Sequence, residues 1–419
     1  MLLFFAGNAQ SGRPLAFPGA EGFGKYTSGG RFGEIYKVTN LDDSGPGSFR
    51  DAVSKPRRIV VFEVGGVIRL ESPLSFSENL TIAGQTAPGD GITVYGNSVS
   101  FTNANNLICR FIRFRMGVNG RKGGDAAGIA YGHNMIFDHV SISWGLDENF
   151  SISSMAVVGG PSNITVQNSI IGQGLAEHSM GGLIQSDGGI TLYRNLYIDN
   201  RSRNVKAKGI NQFVNNVVYN WSVAAYILGG GSEFTSFCNI EDNYFINGPE
   251  TRSNPFTRGN ENFHLYAKGN YWDNNLNSTL DGRELSREEH HIVAWMDKPF
   301  DYPAVPEMSA TEAYHWIVKN AGCIFPARDD VDSYMIDELT SLGARGKIID
   351  SEMELPTQGP GLIRSGKPPV DSDGDGMADE WEIANGLDPN DPKDGRKFQL
   401  SKYYSNIELY LNSLVEHLE

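Results

Sequence analysis

The chain has 419 residues, a formal net charge of −15 and 49 glycines, with 40% of its residues hydrophobic. This length holds one large domain with an appendage, or two to three ordinary domains, and the glycines point to many tight turns. So acidic a chain lacks the broad basic face with which nucleic-acid binders neutralise phosphates, and no run reaches the roughly eighteen apolar residues of a membrane span.

At the start, MLLFFAGNAQSGRP pairs a short apolar run with small residues, and residues 1–14 read as the remnant of an export signal. The expected location is therefore secreted, periplasmic or cell-surface. The three cysteines, Cys109, Cys238 and Cys323, have no CxxC spacing and indicate neither a disulfide framework nor a zinc site.

From Asn79 the chain repeats itself. NLTIAGQ, NLICRFIRF, NMIFDHVSIS and NITVQNSII begin at Asn79, Asn106, Asn134 and Asn163, at successive intervals of 27, 28 and 29 residues. A second series, Asn168, Asn195, Asn216, Asn243 and Asn270, follows at intervals of 27, 21, 27 and 27. Each unit is a short β-branched and aromatic strand with period-two alternation, then a polar bend with glycine, and no helical pattern intervenes. Strands at one such period predict an all-β fold, a right-handed parallel β-helix over residues 15–285, each coil laid on the one before. The second series is expected to stack at an inward bend as a hydrogen-bonded ladder, with His139 a stacking or capping residue one coil earlier.

Near residue 275 the pattern breaks. Residues 286–355 are polar and partly helical: SATEAYHWIVKNAG predicts an amphipathic helix capped by Ser309 or Thr311 and stopped by Gly322, packing along the β-helix. Residues 356–370, rich in proline and glycine, read as a linker. The C-terminal module, residues 371–419, opens with DSDGDGMADEWE, which matches the calcium-loop pattern D-x-D-x-D-G-x5-E. Asp371, Asp373 and Asp375 take its first, third and fifth positions, Met377 offers a carbonyl at the seventh, Asp379 stands at the ninth and Glu382 at the twelfth. Gly376 permits the sharp turn.

Two further groups carry chemistry. Asp125, Asp138, Asp147 and Glu148 fall on two successive coils, and RSRNVKAKG, residues 201–209, lies two coils further on. Parallel coils stack about 4.8 Å apart, so these residues can share one face within the length of a sugar. Carboxylates facing cations across a groove suit an anionic sugar bridged by calcium. Trp144, beside the acidic cluster, either stacks on a sugar ring or is buried.

The run FPGAEGFGKYTSGGRFGEIYKVTNLDDSGPGSFRDAV at residues 17–53, with GQTAPGDGI, GDAAGI, FDHVSISWGLDE and the step from Arg203 to Gly209, resembles polysaccharide lyase family 1, the pectate lyases. The resemblance covers nearly the whole chain and is strongest to the bacterial branch with a C-terminal calcium-loop tail. It implies a right-handed parallel β-helix, a calcium cofactor, a monomer, and cleavage of polygalacturonate by β-elimination. It also implies that Asp125 and Asp147 are calcium ligands, that Arg203 abstracts the C5 proton, and that Lys208 replaces a substrate-binding arginine. Glu148 compensates for a ligand position held by Ser151, and His178 stands in for a substrate lysine that has no match. Gly123 and Gly124 precede Asp125 where the family often has a second aspartate, and Val205 replaces a usual proline.

An arginine base is costly, because a pKa of about 12.5 and a working pH near 9 leave the neutral form roughly 5 kcal/mol away. Lys206, Lys208, Arg201 and calcium lower that cost by like-charge repulsion. Competing readings are a pectin lyase or a lyase of another uronate polymer, a hydrolase using Asp138 and Asp147, and a non-catalytic binder of acidic glycans.

Overall fold

A computed structural model describes residues 12–154 and 156–418, so residues 1–11 of the expected export remnant lie outside the described residues. A short alternating strand cannot bury an apolar face alone, and here each strand is buried against its counterpart on the next coil. Leu80, Leu107, Met135, Ile164 and Ile190 form one such register column, all pairings parallel. Three sheets result. The first runs from Leu74–Ser75 through Ala127–Ile129 and Phe150–Ser153 to Phe256–Thr257, and the second from Glu34–Val38 to Ala294–Trp295. The third runs from Gly66–Arg69 to Tyr271–Asp273 and ends on one antiparallel strand, Arg283–Glu284. Two long strands, Leu183–Tyr193 and Lys206–Val214, belong to the first sheet at their start and the second at their end. This is the parallel β-helix that the repeat predicts.

Like residues stack inside. Phe76, Phe101, Phe137 and Phe150 follow one another at centroid separations of 4.7, 4.9 and 5.1 Å. At the corner before the second sheet, Asn79, Asn106, Asn134 and Asn163 all adopt φ of 54–57°, a region asparagine tolerates. Their amides form a chain of hydrogen bonds of 3.0, 3.1 and 3.2 Å.

The second asparagine series forms a ladder with one correction. Asn195, Asn216, Asn243 and Asn270 donate amide to amide at 3.1, 3.2 and 2.9 Å, fully inside the coil. Asn168 is not its first rung. Ser169 takes that place, its backbone N–H donating to Asn195 Oδ1 at 3.0 Å. Asn168 lies one residue earlier, at the left-handed corner shared with His139, Arg194, Asn215 and Asp242, and donates to Asp138 Oδ1 at 2.8 Å. His139 does stack, its ring parallel to Phe111 at 4.7 Å.

Helix α1, Phe49–Ser54, capped by Ser48, buries Phe49, Ala52 and Val53 at the N-terminal end. Helices α2, Ala310–Asn320, and α3, Asp330–Thr340, lie on the third sheet, with Tyr314, Ile317, Met335 and Leu339 against Ile170, Leu196, Val217 and Tyr219. Ser309 and Glu312 form a capping box at the start of α2. The segment at 356–370 is tied to the β-helix where Arg364 pairs with Asp90 at 2.8 Å. Beyond it, α4, Asp379–Asn385, and α5, Asn406–Ser413, bring Met377, Ile407, Tyr410 and Leu411 onto Ile59, Val61 and Ala83 of the second sheet. Among the described residues no helix is long and apolar enough to cross a membrane.

Candidate active site

The chain approaches the first sheet through bends that place the candidate residues just before its strands. Asp125 precedes Ala127–Ile129, Asp147 and Glu148 precede Phe150–Ser153, and Arg203 precedes Lys206–Val214. Backbone hydrogen bonds hold these bends in tiers: Ala126 N–H donates to Glu148 O at 2.9 Å, Asn149 N–H to Met180 O at 2.8 Å, and Gly181 N–H to Ser202 O at 3.0 Å. Carboxylate oxygens of Asp125, Asp147 and Glu148 all come within 4.8 Å of one another. Asp125 accepts from Glu148 N–H at 3.2 Å and is hydrogen-bonded by Ser151, the residue at the expected ligand position. Buried Asp147 Oδ1 has no hydrogen-bond partner. Burial, then the charge on Asp125, pushes Glu148 up to about 8 even though Arg203 opposes the shift, and burial also raises Asp125.

Arg203 Nη1 is in direct contact with Glu148 Oε1. The aim of Arg203 comes from an extra residue. Met180 bridges Ser202, and Leu183 pairs with Lys206, so two residues on one strand face three on the other. This is a bulge, and Arg203 adopts φ +51° within it. Val205, in the place of the usual proline, is buried in the core and its carbonyl accepts from Ile227 N–H at 2.8 Å. Opposite the bulge, Gly181 and Gly182 leave room for backbone: a Cβ there would come within 2.5 Å of Arg203 O and 2.1 Å of Phe150 O. Behind it, the buried amides of Asn149, Asn200 and Asn204 are linked at 2.7 and 2.9 Å and tie the Glu148 bend to the Arg203 bend.

Lys206 and Lys208 flank buried Ala207, so both point outward from the first sheet, level with Leu183 and Gln185. Burial, then the charges of Lys208, Arg203 and Arg258, lowers Lys206. The cationic field of RSRNVKAKG is thus extended by Arg258, from a later coil, a residue that no motif marks. Arg201 turns to the exposed carbonyl of Glu177. His178 is exposed on the bend two residues before Met180, the residue bridging Glu148 and Ser202.

Trp144 does not face a sugar. It is fully buried, its Nε1–H donates to Gln173 Oε1 at 3.0 Å, and its ring packs against Tyr95 and Arg115. Asp138 is buried too, paired with Arg110 at 2.8 Å and hydrogen-bonded by Gln167 and Asn168. Burial would raise it, but the charges of His139 and Arg110 hold it well below the usual carboxylate range. It therefore has no proton to give and no free face for a hydrolytic water.

In the C-terminal module, Asp371, Asp373 and Asp375 converge within 4.8 Å, as do Asp375, Glu382 and Asp394. Both buried Glu382 oxygens, Asp373 Oδ2 and Asp394 Oδ1 lack hydrogen-bond partners, and such hard oxygens suit calcium. Asp379, expected at the ninth position, is outside both groups. It starts α4 and accepts from Ser372 N–H at 2.7 Å and Ser372 Oγ at 2.6 Å. Asp394, from the loop after α4, supplies the carboxylate instead. Met377 packs its side chain into the module core, and its N–H donates to Asp375 Oδ1 at 3.0 Å.

No protein-family model matches the chain. A protein of Neosartorya fischeri named probable pectate lyase C is 53% identical over 404 residues, 96% of this chain and 94% of that one. A protein of Emericella nidulans with the same name is 52% identical over 404 residues, 96% of this chain and 93% of its own. These relatives are fungal, whereas the tail suggested the bacterial branch. Among solved structures, a pectate lyase bound to hexasaccharide aligns with a TM-score of 0.54 at 14% identity, covering 75% of this chain and 99% of that one. The cedar pollen allergen Jun a 1 aligns with a TM-score of 0.52 at 19% identity, covering 76% and 96%. These two similarities show the same fold.

Proposed function

The chain belongs to polysaccharide lyase family 1 and is a pectate lyase, and we propose that Arg203 takes the C5 proton of polygalacturonate opposite a calcium site formed by Asp125, Asp147 and Glu148. The observation that carries this reading is the contact of Arg203 with the three-carboxylate cluster, while the rival acid Asp138 is sequestered. The unpartnered Asp147 oxygen and the all-oxygen donor set fit calcium. When bound, the ion supplies positive charge beside the uronate carboxylate, which makes the C5 proton more acidic.

The residues then divide the work. Lys208 and Lys206 hold uronate carboxylates, with His178 at the rim, and their charge favours the neutral guanidine. An Arg203 nitrogen takes the C5 proton; the C–H electron pair forms the C4–C5 double bond as the C4–O4 bond breaks. The leaving oxygen gains a proton and Arg203 later returns its own to solvent, so no water is consumed. A second calcium is held by Asp371, Asp373, Asp375, Glu382 and Asp394, with the Met377 carbonyl, as a staple for the tail. A polymeric uronate is met outside the cell, which agrees with an export remnant at residues 1–14 and a monomeric extracellular enzyme. Residues 15–285 act as the catalytic unit, residues 286–355 as its packed extension, and 371–419 as a stapled module.

The test is near-ultraviolet absorbance of polygalacturonate with calcium and with chelator. Absorbance should rise with calcium and stop on chelation. Full activity after exhaustive chelation would overturn the calcium role, and activity on esterified pectin alone would overturn the substrate.

A further inference from the structure

Phe32 is 78% exposed and adopts φ +67°. It stands third in the turn that Gly33 N–H closes on Gly30 O at 2.8 Å, a place where a positive φ is usual, so the turn accounts for the backbone but not for an apolar ring held in water. The ring is nevertheless held in place. It stacks on Phe398 of the C-terminal module, with centroids 5.4 Å apart and planes at 29°. Next to it, Arg31 pairs with Glu408 at 2.8 Å and its guanidinium lies 5.4 Å from the Tyr404 ring centre, clamping the two segments together. The backbone leading to Phe398 is fixed by Gly395 N–H, which donates to Asp375 Oδ2 at 2.8 Å, and by the Lys397–Asp391 pair at 2.7 Å.

Exposed cations stand in the segments that carry these rings. Arg57, Arg396 and Lys402 are exposed, and among the described residues none of them makes an ion pair. Arg57 O accepts from Glu34 N–H at 2.8 Å, two residues from Phe32; Arg396 is two residues from Phe398; and Lys402 Nζ lies 4.7 Å from the ring centre of exposed Tyr403. Of the nearby carboxylates, Glu34 pairs with Arg58 and Asp391 with Lys397, while Glu78 accepts only from the neutral Asn105 amide and keeps its charge. Seven strand steps of the second sheet separate this corner from the coil of Arg203, roughly 34 Å along the axis at the usual spacing.

We propose that this surface is a second, non-catalytic binding site for a polyuronate chain. Sugar rings lay their C–H faces on Phe32, Phe398 and Tyr403, and their carboxylates meet Arg57, Arg396 and Lys402. A tier of rings with cations at its rim is suited to a chain of anionic rings, and elsewhere an acidic surface repels such a polymer. Held at two places on one polymer, the enzyme gains effective concentration at its groove. The proposal rests on the reading that polygalacturonate is the substrate.

The test uses full-length protein carrying Arg203→Ala, which leaves the polymer intact, in native gels containing increasing polygalacturonate; the unsubstituted enzyme is assayed in parallel for elimination. Replacing Phe32 and Phe398 with Ala, or Arg396 and Lys402 with Gln, should weaken retardation about fivefold or more. The same changes in the active enzyme should leave turnover of trigalacturonate unchanged. Phe32→Gly should weaken retardation without lowering the melting temperature, because glycine accepts this φ. Equal retardation of these variants, with an active parent, overturns the surface and leaves the lyase reading standing. A parent that neither eliminates nor is retarded overturns both. Dissociation of a dimer by Phe32→Gly with retardation intact would assign the surface to a second copy and also overturn the proposal.

Discussion

Arg203 Nη1 donates to Glu148 Oε1 across two coils, from Ser202 past Met180 to Glu148, and it does so from a bulge. The contact makes the two residues separable by experiment. Arg203→Ala removes the proposed proton acceptor and should lower kcat about 10²- to 10⁴-fold. Glu148→Gln should instead raise the calcium concentration needed for half-activity about tenfold or more, with kcat largely recovered at saturation. Initial rates of absorbance change, titrated with calcium, check both.

At the proposed sites calcium would compete with protons for the same oxygens. Burial first, and neighbouring carboxylates after it, push Glu148 and Glu382 up to about 8 and Asp375 up to about 7. The folded, calcium-free protein thus holds protons that the unfolded chain has released near the ordinary carboxylate pKa. The stability that these three groups contribute is full below their ordinary carboxylate range and is lost as pH rises towards about 8. In excess calcium the ion displaces these protons and the trend reverses. Melting curves from about pH 5 to about pH 9, with chelator and with calcium, should therefore diverge as pH rises.

The C-terminal cage makes a sharper distinction. Asp394→Asn or Glu382→Gln should remove most of the rise in melting temperature that calcium produces, because each takes a buried carboxylate from the cage. Asp379→Asn alters only an exposed contact with Ser372 and should leave that rise unchanged. Scanning calorimetry with and without calcium separates the two outcomes.

The asparagine ladder is testable by position. Asn216 donates to Leu192 O and Val214 O and accepts from Asn195, so Asn216→Ala leaves several buried groups unpaired and should cost about 2–4 kcal/mol. Asn168→Ala loses one hydrogen bond to Asp138 and should cost less. Urea midpoints give the comparison.

The fold is legible because every coil must present the same face to its neighbour, so the strand runs recur. The ladder is misplaced by one rung because Asn168 and Asn195 are 27 residues apart, close to the 26 that separate Ser169 from its true partner Asn195. That Asp125, Asp147, Glu148 and Arg203 come together is legible because they fall at successive bends of the repeat. The bulge is not: an extra residue is visible only against the strand it pairs with. Asp394 lies outside any loop pattern, and Arg258 is a lone arginine until Lys206 lies near it. Trp144 stands next to acids in the sequence, yet a φ of +66° turns it to the interior.

One spacing has a consequence for how the enzyme could be altered. The rungs Asn195 and Asn216 are 21 residues apart, whereas Asn216, Asn243 and Asn270 are spaced by 27. The shorter coil is the one that carries Arg203 and runs from the first sheet into the second as a single strand, Lys206–Val214, with no loop at the corner. Residues inserted at a bend lengthen a loop, but residues inserted here would interrupt a continuous strand. Loop growth is therefore barred at two neighbouring corners, those crossed by Leu183–Tyr193 and Lys206–Val214, the second on the coil that carries the proposed base.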